Sequence, residues 1–386
     1  MSGPEGECDP AFERVRDVFA DLLDKREVGA GVAVRVRGRP VVDLWGGFMD
    51  RKRTRPWEKD TLVAVYSTTK GMTSLCAHRL VDRGELDLDA PVARYWPEFA
   101  AAGKESIPVR FLLSHRAGLA ALRSPLPPEA LYDWGVMTGA LAAEAPWWTP
   151  GEHHGYHAIT FGWLVGEVVR RISGKSLGTF FRDEVAAPLG LDFHIGLAEK
   201  DDVRCASLTS IDEGEGGQRI VAAVMKDPAG LVSRAFANPP SSVTPGHART
   251  RAWRGAEIPA ANGHGTARSL AHAYGALGNG GVVDGYRLLS PEGVARCGSP
   301  QSEGLDLVLG VPTRFGLGYM MSQPANVAGR IGPNPHAFGH PGAGGSIAFC
   351  DPDAGMGFAY VMNGMDRNIL TSSRAAALID AVYQSL

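Results

Sequence analysis

Two residues three positions apart, Ser67 and Lys70, can do chemistry together in the stretch Tyr66-Ser67-Thr68-Thr69-Lys70. Residues i and i+3 share one face of a helix, so a helix beginning at about Thr68 lets the lysine amine reach the serine hydroxyl. A serine is a weak nucleophile until a base takes its proton. Lysine serves as that base only when burial or a neighbouring cation lowers its pKa. At the start of a helix, free N–H groups and the helix dipole also favour a developing negative charge. The spacing alone is not decisive. With 22 serines and eight lysines in 386 residues, chance supplies about 0.5 S-x-x-K matches, and the bland alternative is an N-capping serine beside a solvated lysine. His153, His154 and His157 form a second cluster. His153 and His157 have the i, i+4 spacing of a helical metal site, but Gly151 and Gly155 oppose a helix there, and no metal is expected.

The elements that must position Ser67 follow from periodicity. Residues 61–66 read as extended, leading into a helix over Gly71–Arg83 that stops at Gly84. Phe12, Val15, Phe19, Leu22 and Leu23 recur at helical spacing and predict an amphipathic helix over 10–26. Val32, Val34 and Val36, a Gly38-Arg39-Pro40 turn and Val41–Trp45 predict a hairpin. The far end mirrors it, with apolar runs at Ser346–Cys350 and Met356–Met362 and a closing helix at 371–385. These patterns predict one antiparallel sheet built from both termini and covered by the two terminal helices. The middle is helical, with further helices at Phe161–Ile172 and Ser269–Leu277. Residues 231–265, which include Asn238-Pro239-Pro240 and Thr244-Pro245-Gly246, read as a long irregular wall or lid. The expected division is an α/β lobe of 1–95 and 280–386 and a mostly helical lobe of 96–279.

Composition narrows the partners. Lys+Arg total 39 against 42 Asp+Glu, a formal net charge of -3, so there is no general attraction to nucleic acid or an anionic membrane. No apolar run is long enough for a membrane span, and the N-terminus shows no secretory signal. A cytoplasmic protein is expected. Five widely spaced cysteines with no CxxC argue against a disulfide framework or a zinc knuckle. Oligomeric state is left open.

Several ordered segments resemble the β-lactamase-like serine hydrolases. That superfamily includes class C β-lactamases, D-alanyl-D-alanine peptidases and family VIII carboxylesterases. The first segment is Tyr66–Gly71, followed by an apolar helix and Arg83-Gly84-Glu85-Leu86-Asp87-Leu88-Asp89-Ala90-Pro91-Val92. Phe111-Leu112-Leu113-Ser114-His115-Arg116-Ala117-Gly118-Leu119 is similar to the family's LLTHTSGL segment. Pro150-Gly151-Glu152, Tyr156, Leu164–Glu167 and Ser173–Leu177 fit its tyrosine segment. His340-Pro341-Gly342 stands where lactamases carry K-T-G.

The resemblance implies a β-lactamase-like (DD-peptidase) fold of class α/β, with an antiparallel sheet flanked by helices and an inserted helical lobe. It implies a serine carboxylesterase that needs no cofactor and acts on a small-molecule ester. Ser67 would be the nucleophile, with Lys70 and Tyr156 as acid–base groups; a cationic Lys70 would lower the tyrosine pKa. The Ser67 and Ala343 N–H groups would form an oxyanion hole. Ala158 replaces the asparagine of the family's Y-x-N, and His340 replaces the lysine of K-T-G. Both departures point from lactamase toward esterase. A β-lactamase, D-amino-acid peptidase or acyltransferase on the same scaffold is the alternative, and a catalytically degenerate binding protein is the third. His340, Gly342, Trp148, His157 and Trp253 are expected to bind substrate. Each tryptophan, Trp134 and Trp147 included, reads more readily as a core or lobe-packing residue. His264 either lines the pocket or belongs to a helix start.

Overall fold

The structure, a computed structural model, describes residues 3–211, 214, 216–240, 246–325 and 327–386. Its centre is a nine-stranded antiparallel sheet. In spatial order the strands are Glu5–Cys8, Arg39–Gly47, Gly29–Val36, Met356–Met362, Ile347–Asp351, Phe338–Pro341, Met320–Met321, Pro312–Phe315 and Ser302–Leu305. The two ends of the chain meet at its middle, where Val32 pairs with Tyr360. The first hairpin turns through Arg37 and Gly38, at φ 49° and 79°. Two positive φ values in a two-residue loop match the right-handed twist of the flanking strands.

Alternation along the strands gives the sheet two buried faces. On one, Gly46 faces Leu23 of the Glu13–Lys25 helix, which packs beside the Ser373–Tyr383 helix. On the other lies the Ala267–Gly278 helix. It approaches so closely that a Cβ on Gly357 would stand 2.2 Å from the Gly275 nitrogen. The antiparallel sheet with helices on both faces is therefore observed as expected.

Two local expectations change. Of the extended stretch 61–66, only Val63–Ala64 is a strand, paired with His264–Gly265. Tyr66–Thr68 is a tight 3-10 turn, because Tyr66 takes φ 45° and turns the chain before the Thr69–Asp82 helix begins. The irregular stretch 231–265 contains two short helices, Leu231–Ala237 and Arg251–Gly255. The second is capped by Thr250, whose side chain accepts from the Trp253 N–H. Helices of five and seven residues are too short to print a 3.6-residue period. Thr244 and Pro245 lie outside the described residues. Among the described residues no helix is long and apolar enough to cross a membrane, and no group of three or more His, Cys, Asp or Glu is placed to hold a metal.

Candidate active site

Ser67 stands in the Tyr66–Thr68 turn, on the wall of a cleft of about 760 Å³. The turn is tied on both sides. Thr69 Oγ1 donates to the Tyr66 carbonyl at 2.5 Å and accepts from Gly263 N–H at 2.9 Å. Val65 N–H donates to the Gly263 carbonyl at 3.0 Å. Lys70, in the first turn of the Thr69–Asp82 helix, is fully buried. Its Nζ lies 3.1 Å from Ser67 Oγ and donates to the carbonyls of Ala158 at 2.7 Å and Ala260 at 3.0 Å. Burial holds the amine well below the usual lysine range, and no carboxylate offsets it.

Tyr156 is buried beside the lysine, its ring centroid 4.7 Å from Lys70 Nζ. It lines the same cleft as Ser67. Contrary to the lowering expected from a cationic lysine, burial raises the Tyr156 pKa, and the nearby Ser67 side chain offsets this only in part. Desolvation governs both groups: it disfavours the charged amine of Lys70 and the phenolate of Tyr156. The tyrosine backbone is fixed by Asp306, a fully buried carboxylate the sequence had not singled out. Asp306 Oδ1 accepts from the N–H groups of Tyr156 at 3.0 Å, Val308 at 2.9 Å and Leu309 at 2.8 Å. His154, from the histidine cluster, bonds Thr313 at 2.9 Å.

The third segment comes from the sheet. The Phe338–Pro341 strand ends against the Ser67 turn, and Ser346 Oγ donates to the Val65 carbonyl at 2.8 Å. A Cβ on Gly342 would stand 2.2 Å from that same carbonyl, so only glycine permits the approach. Ala343 follows on the cleft wall. Its N–H and that of Ser67 have no protein acceptor among the described residues. His340 is buried at 1 % exposure, its ring 5.8 Å from that of Tyr156. Its Nδ1 bonds the Pro341 carbonyl at 2.6 Å, and its Nε2 has no partner. Burial and nearby Lys70 lower it to about 3, so it stays neutral.

The structure brings together Ser67, Lys70, Tyr156, Gly342 and Ala343, with His340 behind Tyr156. It does not bring Trp148, His157 or Trp253 to the cleft. Trp253 is 1 % exposed and packs beneath Tyr66, ring centroids 6.1 Å apart. Trp148 donates from Nε1 to the His153 carbonyl and meets His157 edge-on. Both ring nitrogens of His157 are used within the protein, Nδ1 on the Gly155 carbonyl at 2.7 Å and Nε2 accepting from Leu119 N–H at 3.1 Å. His264 is buried on the strand that pairs with Val63–Ala64. The cleft's apolar wall is formed instead by Ile159, Ile220, Phe236, Met365 and Ile369. Ile220 and Phe236 come from short helices that sequence periodicity did not place at the site.

The beta-lactamase family matches residues 15–382. Esterase/beta-lactamase LipL of Mycobacterium tuberculosis (strain ATCC 25618 / H37Rv) is 40% identical over 367 residues, 93% of this chain and 82% of that protein. A solved family VIII carboxylesterase superposes with a TM-score of 0.92 at 43% identity, covering 100% of both chains. A penicillin-binding protein homolog from Caulobacter crescentus follows with a TM-score of 0.89 at 41% identity, again covering 100% of both chains. The β-lactamase-like fold expected from the ordered segments is the fold observed, and this chain belongs to the beta-lactamase family of serine hydrolases.

Proposed function

We propose that this enzyme hydrolyses small to medium carboxylic esters through an acyl-Ser67 intermediate. The observation that carries the reading is the Lys70 amine, buried without a counter-ion and aimed at Ser67 Oγ from 3.1 Å. A neutral amine has two N–H groups and one lone pair. The Ala158 and Ala260 carbonyls take the two N–H groups. The lone pair is then left for the Ser67 proton.

In acylation, Ser67 Oγ attacks the ester carbonyl as its proton passes to Lys70. The Ser67 and Ala343 N–H groups receive the developing oxyanion. As the C–O bond to the alcohol breaks, the Tyr156 phenol gives its proton to the departing oxygen and is reprotonated from Lys70. Water then attacks the acyl-enzyme. Its proton returns by the same two groups to Ser67 Oγ, and the acid leaves. No cofactor enters the sequence. Ala158 and neutral His340 lack the side-chain amide and the cation that the lactamase motifs carry at those two positions; Arg51, Arg367 and Asn368 also line the cleft, beside apolar side chains that suit an acyl group.

Ser67→Ala is expected to abolish turnover of p-nitrophenyl acetate and butyrate, and an active-site phosphonate should add its mass to the Ser67 peptide. Retained turnover in Ser67→Ala overturns the reading. Nitrocefin hydrolysis matching ester hydrolysis would favour the lactamase alternative. Product formation with an added alcohol that outpaces hydrolysis would favour an acyltransferase.

A further inference from the structure

Behind Ala343 lies a buried charge cluster that the ester mechanism does not use. Arg374, in the first turn of the Ser373–Tyr383 helix, is 0% exposed. Its Nη1 donates to Glu27 Oε1 at 2.6 Å. Its Nη2 donates to the carbonyls of Gly344 and Gly364, each at 2.9 Å, and to Asp366 Oδ2 at 3.0 Å. Glu27 is buried as well and accepts from the Tyr360 hydroxyl. Three parts of the fold therefore converge on one guanidinium: the link before the Gly29–Val36 strand, the Met356–Met362 strand with the segment after it, and the C-terminal helix.

The target of this convergence is the peptide next to Ala343. The Gly344 carbonyl accepts from Arg374 and from Asp366 N–H at 3.1 Å, while Gly344 N–H donates to the Asn368 carbonyl at 2.9 Å. On the other flank, Gly342 N–H donates to the Ser346 carbonyl at 2.7 Å, and Ser346 is tied to the Ser67 turn. Ala343 is thus a single residue between two anchored neighbours, and its N–H points to no acceptor among the described residues. Both Gly344 and Gly345 have positive φ, 91° and 120°, so the turn has little conformational preference of its own and takes its shape from these bonds.

A fully buried arginine is unfavourable for stability unless paired, and an apolar side chain would fill the space at lower cost. What the guanidinium offers is a planar fork with donors in fixed directions, reaching two carbonyls and two carboxylates together. We propose that Arg374, held by Glu27 and Asp366, is a positioning residue that fixes the Ala343 N–H as the second oxyanion donor beside Ser67. This assignment rests on the acyl-Ser67 reading. Burial pushes the Glu27 carboxyl up to about 7, close to its neutral form, and its Oε2 has no partner. A glutamine there keeps an acceptor for Arg374 without the charge.

The experiment compares Arg374→Lys, Glu27→Asp and Glu27→Gln with the wild type. It reads kcat and KM on p-nitrophenyl butyrate, the affinity for phenylboronic acid, which forms a tetrahedral adduct on serine, and the melting temperature. Arg374→Lys is expected to lower kcat by tenfold or more with KM within about twofold, and to weaken the boronate by a similar factor. Glu27→Asp, which draws the carboxylate back by one methylene, should do the same to a smaller extent. Glu27→Gln should stay within about threefold of wild type. Folded Arg374→Lys or Glu27→Asp with wild-type kcat and boronate affinity overturns the assignment, as does a loss confined to KM. Should Arg374→Lys fail to fold, Glu27→Asp decides by the same readout. If the wild type neither turns over the ester nor binds the boronate, the acyl-serine reading has failed, whatever the variants do.

Discussion

At the scale of the residue, the proposed chemistry turns on how burial lowers the pKa of one lysine. Lys70 is buried with carbonyl acceptors and no carboxylate, so the charged form is penalised without compensation. In the proposed mechanism the neutral amine is the active form. Activity is therefore lost as pH falls through the lowered Lys70 pKa and regained as pH rises through it. That limb should lie well below the free-lysine value of 10.5. Tyr156 is raised above 10.0, so no falling limb from the phenol should enter before that pH. A kcat/KM profile on p-nitrophenyl butyrate should accordingly rise and then stay level to about pH 9; a rising limb near pH 10 would contradict the assignment. Lys70→Met should lose roughly 10²–10⁴-fold in kcat/KM, the usual worth of a general base. Lys70→Arg should not rescue it, because a guanidinium keeps its charge when buried.

At the scale of the element, the site depends on three segments meeting without slack, and glycine at 342 sets the closest contact. A methyl there meets the Val65 carbonyl at 2.2 Å, Ser346 Oγ at 2.3 Å and Thr68 Oγ1 at 2.9 Å. Gly342→Ala must push the strand end from the Ser67 turn and carry Ala343 with it. A stability loss of about 1–3 kcal/mol is expected, as for other overpacked sites. The kcat loss should be larger than that destabilisation explains at a temperature where the variant is still folded. Paired melting and kinetic measurements separate the two; an unimpaired kcat would show that the strand end is not held in register by this contact.

These elements also show where sequence carried information and where it did not. The hairpins were legible because alternating valines have a period of two, and Phe12 to Leu23 because theirs is that of a helix. Ser67, Lys70 and Tyr156 were legible as residue types in order. The carbonyls of Ala158 and Ala260 were not, since any residue supplies a backbone oxygen, and they stand 88 and 190 positions from Lys70. Tyr66 at φ 45° leaves no trace in composition either. Trp253 shows the opposite failure. A tryptophan in an irregular stretch read as a pocket wall, but Thr250 caps a short helix there and turns its indole into the core beneath Tyr66. Asp306 was invisible because its role is to accept three backbone N–H groups, a role with no spacing signature.

At the scale of the whole molecule, the same desolvation that tunes the site sets the acid stability. Among the described residues, five fully buried histidines are held neutral. Burial lowers His78 and His157 to about 4, His264 and His340 to about 3, and His115 well below 6.5. Their folded pKa values are depressed, so their contribution to stability is fully present above 6.5 and is lost as pH falls, when the unfolded chain takes up protons that the folded chain refuses. Glu27 runs the other way: raised from 4.5 to about 7, it favours the folded state as pH falls through that window. It offsets one proton of five. Each uncompensated proton is worth about 1.4 kcal/mol per pH unit, so near pH 5 the histidines together remove stability at a rate of roughly 5 kcal/mol per unit after the Glu27 offset. That is comparable with the total stability of about 5–15 kcal/mol usual for a folded protein. The melting temperature should therefore drop steeply between pH 6.5 and 4.5. His78→Gln tests the cause away from the catalytic groups. His78 Nε2 bonds the Leu317 carbonyl at 2.8 Å, and a glutamine amide can supply that donor without titrating. The variant should flatten the acid slope by about one proton while leaving ester turnover at pH 8 unchanged. A melting temperature that stays level from pH 7 to 5, or a His78→Gln slope equal to the wild type's, would show that the buried histidines do not govern it.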